Sequence, residues 1–367
     1  MKLTYPILIL ILLSSFSLEA QVFSNREVGE KHREKIDSIK QKEYPYILPI
    51  WGKKAAALGF TLPLSAGVSV NYLWQESDIV IENLEVGFSG GQKFPLDEIV
   101  QFNDAVASTN AVNIRPDVWV FPFLNVYGII ASSKTSTAVD VSVVVPDSTT
   151  SSELFSISTV AEFQAVTTGF GLTPTIGIGG GFMALDMNFT WTDIEALSDP
   201  AFSFVFGPRF GKSFKFREEG RSLAAWVGGF RVHINSGTDG SLPIRELFPG
   251  DEIDERLDGA RENLVMRQEN LDAWYGALGP VEQKLYEPVY NRATDLIGKA
   301  NQLVNGLENS LNTGTIDYSL DKRQKNMWNF IIGAQYQHNP RWMFRAEFGF
   351  LTARTQFIGG IQYRFGL

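Results

Sequence analysis

The side chains most able to do chemistry in this chain are charged, and they recur at every second position. Asp186 and Asn188 stand in FMALDMNFTWT (182–192), Arg345 and Glu347 in RWMFRAEFGFL (341–351), and Gln362 and Arg364 in FIGGIQYRFGL (357–367). Arg115 and Asp117 share the same spacing, and Arg209, Arg231 and His233 occupy two further alternating segments. Projected into one enclosed space, opposite charges form either a selective constriction or an ion-pair network that fills a narrow interior. The residues leave both readings open. A hydrolytic reading needs a base, and the chain has only His32, His233 and His338. His233-Ile234-Asn235-Ser236 places His, Asn and Ser close together, as a lipid hydrolase would require, yet such spacing at a strand end is common, and no enzyme is expected. There is no cysteine and no paired histidine, so no metal centre or cofactor is expected. Asp251-Glu252-Ile253-Asp254-Glu255 reads as the acidic first turn of a helix. The glycines around Ile178 (Gly177, Gly179, Gly180, Gly181) mark a turn between strands and not a phosphate loop.

Strands must position these groups. In 182–192 the residues Met183, Leu185, Met187, Phe189 and Trp191 fall opposite the polar row, and in 341–351 so do Trp342, Phe344, Ala346, Phe348 and Phe350. The segment 326–338 sets Trp328, Phe330, Ile332, Ala334 and Tyr336 against Asn329, Gln335 and Gln337. At the C-terminus Phe357, Ile361, Tyr363, Phe365 and Leu367 oppose Gln356, Gln362 and Arg364, with Ile358 the one apolar exception. Alternation held over a dozen residues is strand periodicity. A soluble sandwich buries the apolar face, whereas a transmembrane barrel turns it to lipid and keeps the polar face for its lumen. Strand length favours the barrel, since about 9–11 tilted residues cross a bilayer. So do the aromatics near strand ends (Trp74, Trp119, Trp191, Trp328, Trp342, Tyr363). The chain also ends inside a strand, as closure of the last strand on the first requires.

The expectation is therefore an all-β membrane fold: a closed antiparallel transmembrane β-barrel of about twelve strands, with ten or fourteen as alternatives. The strands are placed at 54–64, 66–75, 79–90, 111–121, 124–145, 153–180, 182–192, 201–213, 222–234, 326–338, 341–351 and 355–367. Even parity sets both ends on the periplasmic side. It makes Phe121-Pro122-Phe123, 179–181, 214–221 and 338–341 short periplasmic turns, and 91–110, 146–152, 193–200 and 235–325 external loops.

Residues 251–311 abandon this period. Ile253, Leu257, Ala260, Leu264, Leu271, Trp274 and Leu278, then Leu285, Val289, Leu296, Ala300, Leu303, Leu307 and Leu311, recur mostly at three- and four-residue steps, which is helical. Gly279-Pro280 divides two helices, and Asp251 is a candidate N-cap. The insert at 235–325 is expected to be an external helical hairpin, either a cap or a plug. Residues 251–311 within it hold 12 acidic and 6 basic residues of a chain whose net charge is −9. That balance argues against nucleic acid. Residues 1–20, with Lys2 ahead of a short apolar stretch and Ala20 at the expected cleavage point, read as a signal peptide. Residues 21–53 read as a charged periplasmic segment, 54–234 as the first part of the barrel and 326–367 as its closing strands.

The ending Tyr363-Arg364-Phe365 resembles the terminal signal by which Gram-negative outer-membrane barrels are recognised by their assembly machinery, although Gly366 and Leu367 follow where that signal ends on Phe. The stretches DVWVFPFLNVYG (117–128) and YSLDKR (318–323) are similar to segments of uncharacterised bacterial outer-membrane proteins. The resemblance covers about 54–367. It implies an outer-membrane location, contact with outer-membrane lipid and recognition of the last strand by the assembly machinery, but no particular solute. On the residues alone, a channel or transporter for small or hydrophobic solutes leads. A non-conducting scaffold or surface binding protein is the alternative, and a lipid-modifying enzyme stands third.

Overall fold

The computed structural model describes Asp37 and residues 44–367, apart from 148–149, 179, 195–196, 198, 219, 235–236, 249–251 and 312–313. The expected signal peptide and most of the charged N-terminal segment lie outside the described residues. In chain order the elements are α1 (Gly52–Ala57), β1 (Ala66–Phe88), β2 (Phe94–Pro95), β3 (Val100–Phe121), β4 (Leu124–Asp147), β5 (Thr150–Ile178), β6 (Gly181–Ile194), β7 (Ala201–Lys215) and β8 (Ser222–Ile234). Then follow β9 (Gly237–Pro243), α2 (Ile244–Leu247), α3 (Glu252–Gly276), α4 (Pro280–Ser310), β10 (Thr315–Gln324), β11 (Trp328–Gln337), β12 (Trp342–Leu351) and β13 (Arg354–Phe365).

Ten strands form a closed antiparallel barrel in the order β1-β3-β4-β5-β6-β7-β8-β11-β12-β13. β13 closes onto β1 from Ala66↔Phe365 to Ser77↔Arg354 without a break in register. Ten is the lower of the strand counts the alternation allowed. The count falls from twelve for two reasons. Residues 54–64 contain α1 and a non-strand segment instead of a strand, and 66–75 and 79–90 belong to the single strand β1. β3 also begins at Val100, so much of 91–110 is strand and not loop.

The outward rows carry the apolar belt. Val70, Tyr72, Val112, Ile130, Phe210, Val227, Phe330, Ile332, Phe344, Phe348, Phe357 and Ile361 are all exposed, and their rings pack across neighbouring strands, as in Phe170–Phe189–Phe204 and Trp342–Tyr363. A continuous exposed band of this size is incompatible with water and matches the lipid-facing belt of a membrane barrel. The four expected short turns all lie at the end of the barrel where β1 begins and β13 finishes. There Asn339 Oδ1 accepts from the backbone N–H groups of Arg341 and Trp342 (2.9 Å each), an Asx arrangement that turns the chain tightly. Gly180, at φ +85, serves the turn between β5 and β6. Below the barrel, Ile47 N–H donates to Leu367 O and Ile50 N–H to Val120 O. Trp51 packs on Phe121. This ties the segment before β1 to the rim.

At the opposite end β1, β3, β4 and β5 run on past the belt. β1 leaves β13 and takes β10 as partner from Ile79↔Gln324 to Phe88↔Ile316, and β9 pairs on β10. The strands form a raised collar. Bulges at Glu82/Glu85, Phe102/Asp104 and Val143/Val144 adjust the register there. The face that lines the lumen lower down becomes apolar in the collar, with Leu84, Val86, Val100, Val143 and Val145 buried. Against it packs the α3–α4 hairpin through Ile253, Leu257, Leu264, Ile297, Val304 and Leu307. The two helices match the expected hairpin closely, with Gly279 at the N-cap of α4 and Pro280 following. The candidate cap Asp251 lies outside the described residues. The hairpin sits in the collar and not down the lumen: Arg267 donates to the carbonyls of Val145 (3.0 Å) and Glu153 (3.0 Å), and Glu98 accepts from Arg292 (2.9 Å) and Lys299 (2.8 Å).

Two outcomes follow from this seat. Leu264→Ala, which empties a fully buried position, should loosen the hairpin by roughly 2–5 kcal/mol, so hydrogen exchange rises in 252–310 and stays unchanged in the barrel strands. Hydrogen bonds from Lys299 and Arg292 hold the Glu98 carboxyl below its ordinary value of 4.5. The stabilisation is present above that value and lost as pH falls through the depressed one. Protection factors in α4, that is exchange corrected for its intrinsic pH dependence, should therefore fall on acidification, and Glu98→Gln should remove that fall.

Candidate functional site: a polar network across the lumen

The expected lumen residues fall into layers. Nearest the rim that carries the chain ends, Asp117 is buried and accepts hydrogen bonds from Asn125 (2.8 Å) and Gln362 (2.5 Å). Arg364 forms an ion pair with it at 3.1 Å, and Arg364 Nε donates to Leu64 O at 3.0 Å. Alternation puts Arg364 inward while Tyr363 and Phe365 face out, so the last strand supplies both the belt and the base of the network.

The middle layer centres on Glu347, whose side chain is almost wholly buried. Arg209 grips it through two bonds, Nε to Oε2 at 2.9 Å and Nη2 to Oε1 at 3.1 Å. Trp226 Nε1 donates to Oε2 at 3.0 Å and Arg345 Nη2 at 3.2 Å. Arg209 also pairs with Asp186, which accepts from Thr173 at 2.6 Å. The connected groups thus reach from Thr173 on β5 to Glu347 on β12, five places apart in a ring of ten, so they span the interior and do not merely line it. Arg345 lies over the Trp226 ring at 5.0 Å, and Arg115 over Tyr127 at 5.5 Å. Tyr127 donates to Asn188 at 2.7 Å.

Two glycines make this layer possible. A Cβ on Gly333 would collide with the Trp226 indole, and one on Gly171 with the Tyr127 ring. Each aromatic lies flat against the wall because the facing residue has no side chain. Above, Arg354, Asn329 and Gln356 are buried, with Arg354 over Phe230 at 5.4 Å and donating to Asn326 O at 3.3 Å.

Seven expected lumen residues (Arg115, Asp117, Asp186, Arg209, Arg345, Glu347, Arg364) therefore share the interior. Arg231 and His233 do not. They stand opposite Phe206 and Phe204, which belong to the outward row, whereas the inward row of β8 carries Trp226 and Phe230. Both are exposed. Arg231 Nη2 contacts Met327 Sδ at 3.4 Å. The polarity of these two side chains reflects their height at the strand end, beyond the apolar belt, and not an inward direction. Asn235 and Ser236, the other members of the hydrolase reading, lie outside the described residues. Gly87-Phe88-Ser89-Gly90-Gly91 has the spacing of a nucleophile elbow, but it turns from β1 into β2 and not into the helix such an elbow needs. The sequence reading missed Trp226 and Arg354, and set Asn329 on the polar row without naming it a candidate. Trp226 was recoverable from its place on the row opposite Val227.

Fold and lumen together define a transmembrane β-barrel of the outer-membrane type, with its lipid belt outside and an ion-paired network within. No family model and no curated protein matches the sequence. Solved structures resemble the fold distantly. The β domain of the Bordetella autotransporter Brka is 8% identical, with TM-score 0.30, over 82% of this chain and 100% of that one. An outer membrane channel from Pseudomonas putida F1 is 8% identical, with TM-score 0.27, over 83% and 96%. LpxR from Salmonella typhimurium is 8% identical, with TM-score 0.26, over 82% and 100%. Likeness at this level carries no argument about activity.

Breaking a buried pair leaves an uncompensated charge, at a cost of about 3–5 kcal/mol. Glu347→Ala should lower the midpoint of urea unfolding in lipid vesicles accordingly, because it removes the carboxylate that Arg345 pairs with and leaves Arg209 with Asp186 alone. The double variant Glu347→Ala with Arg209→Ala should cost less than the sum of the two single changes.

Proposed function

We propose that this protein is a non-conducting outer-membrane barrel whose work is done at its outer end, where it displays the helical hairpin on the collar. The single observation that supports this reading is the Arg209–Glu347 pair, joined to Asp186, Trp226 and Arg345 across the interior. A ten-stranded ring is little wider than the eight-stranded ones that side chains fill, and here Asp186, Arg209, Glu347 and Arg345 cross it already paired to each other. A permeating solute would have to break those pairs in a low dielectric, where each break costs several kcal/mol.

The hairpin suits surface display. The stripe of α4 that is buried on the collar at Leu303 and Leu307 continues outward as Val289, Leu285 and Val281, which are exposed, Val281 to 83%. From Arg267 to Gly276, α3 runs about 14 Å farther at 1.5 Å per residue, beyond the point where it touches the β4–β5 tip. By the parity of the chain ends, this tip faces the cell exterior. The outward Tyr363 and Phe365 of β13 remain the expected contact for the assembly machinery, and the apolar belt the contact for outer-membrane lipid.

The rival reading, a channel plugged by the hairpin, is favoured by one feature, the position of α3 and α4 directly above the lumen face of the collar. Planar-bilayer recording separates the two. The full chain should give no discrete conductance, and neither should a variant in which a short glycine linker replaces 252–310, because the ionic network, and not the hairpin, closes the lumen. A stable conductance that appears on this deletion would establish a plugged channel instead.

A further inference from the structure

The wall of the collar has a window. β1 and β3 pair from Ala66↔Val118 to Asp78↔Val106 and then part. β3 continues on β4 from Ala105 to Val100, while β1 continues on β10 from Ile79. Chain next covers the β3 side of β1 at Leu84, whose carbonyl accepts from Leu96 N–H at 2.8 Å, and at Glu85 and Val86, which pair with β2. Between these closures the backbones of Ile79–Asn83 and Gln101–Ala105 face each other unpaired. They border a cleft of about 590 Å³.

Two unpaired edges in one sheet are a rare exposure. Folded proteins ordinarily cover or blunt such edges, and an uncovered one is a template for strand addition. The unpaired stretch of β1 is five residues, about 16 Å at 3.3 Å each, the reach of a short strand. Its lining has two tiers. Ile79, Ile81, Val100 and Phe102 present apolar groups toward the collar interior, and the cleft carries four carboxylates (Asp78, Glu82, Asp97, Asp104) against one ammonium, Lys325. Asp78 is paired with Lys325 and Glu82 with Arg323, and Asp97 accepts from Leu84 N–H. Asp104 is exposed and, among the described residues, accepts a hydrogen bond from the N–H of the residue that follows it and from no other.

We infer that this window is a docking site for an extended basic peptide segment of another protein, which enters as an added strand between β1 and β3. Its backbone satisfies the two free edges. Its alternate apolar side chains meet Ile81 and Phe102, and its cationic ones meet Asp104 and the neighbouring carboxylates. The inference concerns the collar wall and stands whether or not the lumen conducts.

The test uses the full chain in nanodiscs of zwitterionic phosphatidylcholine and follows the fluorescence anisotropy of a labelled hexapeptide, Lys-Val-Lys-Val-Lys-Val. Binding is expected, with at least tenfold weaker binding when the three valines are N-methylated, which removes donors along one edge and leaves the charge intact. Asp104→Lys, an exposed change that leaves the barrel folded, should weaken binding at least fivefold, and Glu-Val-Glu-Val-Glu-Val should not bind. Absence of binding by the basic peptide overturns the inference. Equal binding of the N-methylated peptide overturns it in favour of charge attraction alone. Equal binding to Asp104→Lys overturns the location, and displacement of the peptide by dodecyltrimethylammonium at equal concentration would assign the cleft to lipid-like cations.

Discussion

Within a bilayer no backbone N–H or C=O can turn to water, so every one must find a partner inside the protein. That constraint governs this molecule. It is met by the twelve-residue seam in which β13 returns to β1, because an open edge anywhere at belt height would be intolerable. Once the wall is closed, the period of two does the rest. Each strand has one face for lipid and one for the enclosed lumen, and the same ring of hydrogen bonds fixes both. The central carboxylate inside can be kept because it meets opposite charge: Glu347 is held by two arginines and an indole.

The constraint relaxes where the strands leave the lipid. There the wall parts between β1 and β3, takes in β9 and β10, tolerates bulges and exchanges its polar inner face for an apolar one. A helical hairpin can then pack on the strands that lower down enclose ion pairs. Barrel and collar are one sheet with two solvents, and the change of inner face follows from what stands opposite: side chains from across a ring in the first case, helices in the second.

This division also explains what was legible in the sequence. The belt strands β6, β11, β12 and β13 alternate cleanly because lipid demands it, and the hairpin was visible because its apolar residues change from period two to helical steps. The collar has no such demand. QFNDAVASTN (101–110) is too polar and too weakly alternating to be read as strand, yet it pairs along β4. Glu76-Ser77-Asp78 looks like a turn between two strands, but is the point where β1 passes from belt to collar and changes partner. Residues 54–64 suggested a strand, but part of that stretch belongs to a short helix, Gly52–Ala57, tied to the rim. For the lumen, alternation identified seven of the nine candidates. It failed for Arg231 and His233 because near a strand end a charged residue can face outward above the lipid, and polarity no longer reports direction.

The account rests on the two faces of the wall, and the cysteine-free chain allows them to be read directly. Single cysteines placed along β12 at Phe344, Arg345, Ala346, Phe348 and Gly349, each carrying a nitroxide in reconstituted vesicles, report collision rates with oxygen, which concentrates in lipid, and with a water-soluble nickel chelate. The predicted result is a period of two, with oxygen high at 344, 346 and 348, and low access to both reagents at 345 and 349 where the interior is packed. A uniform response along the strand, or strong access of the nickel chelate at 344, 346 and 348, would contradict it.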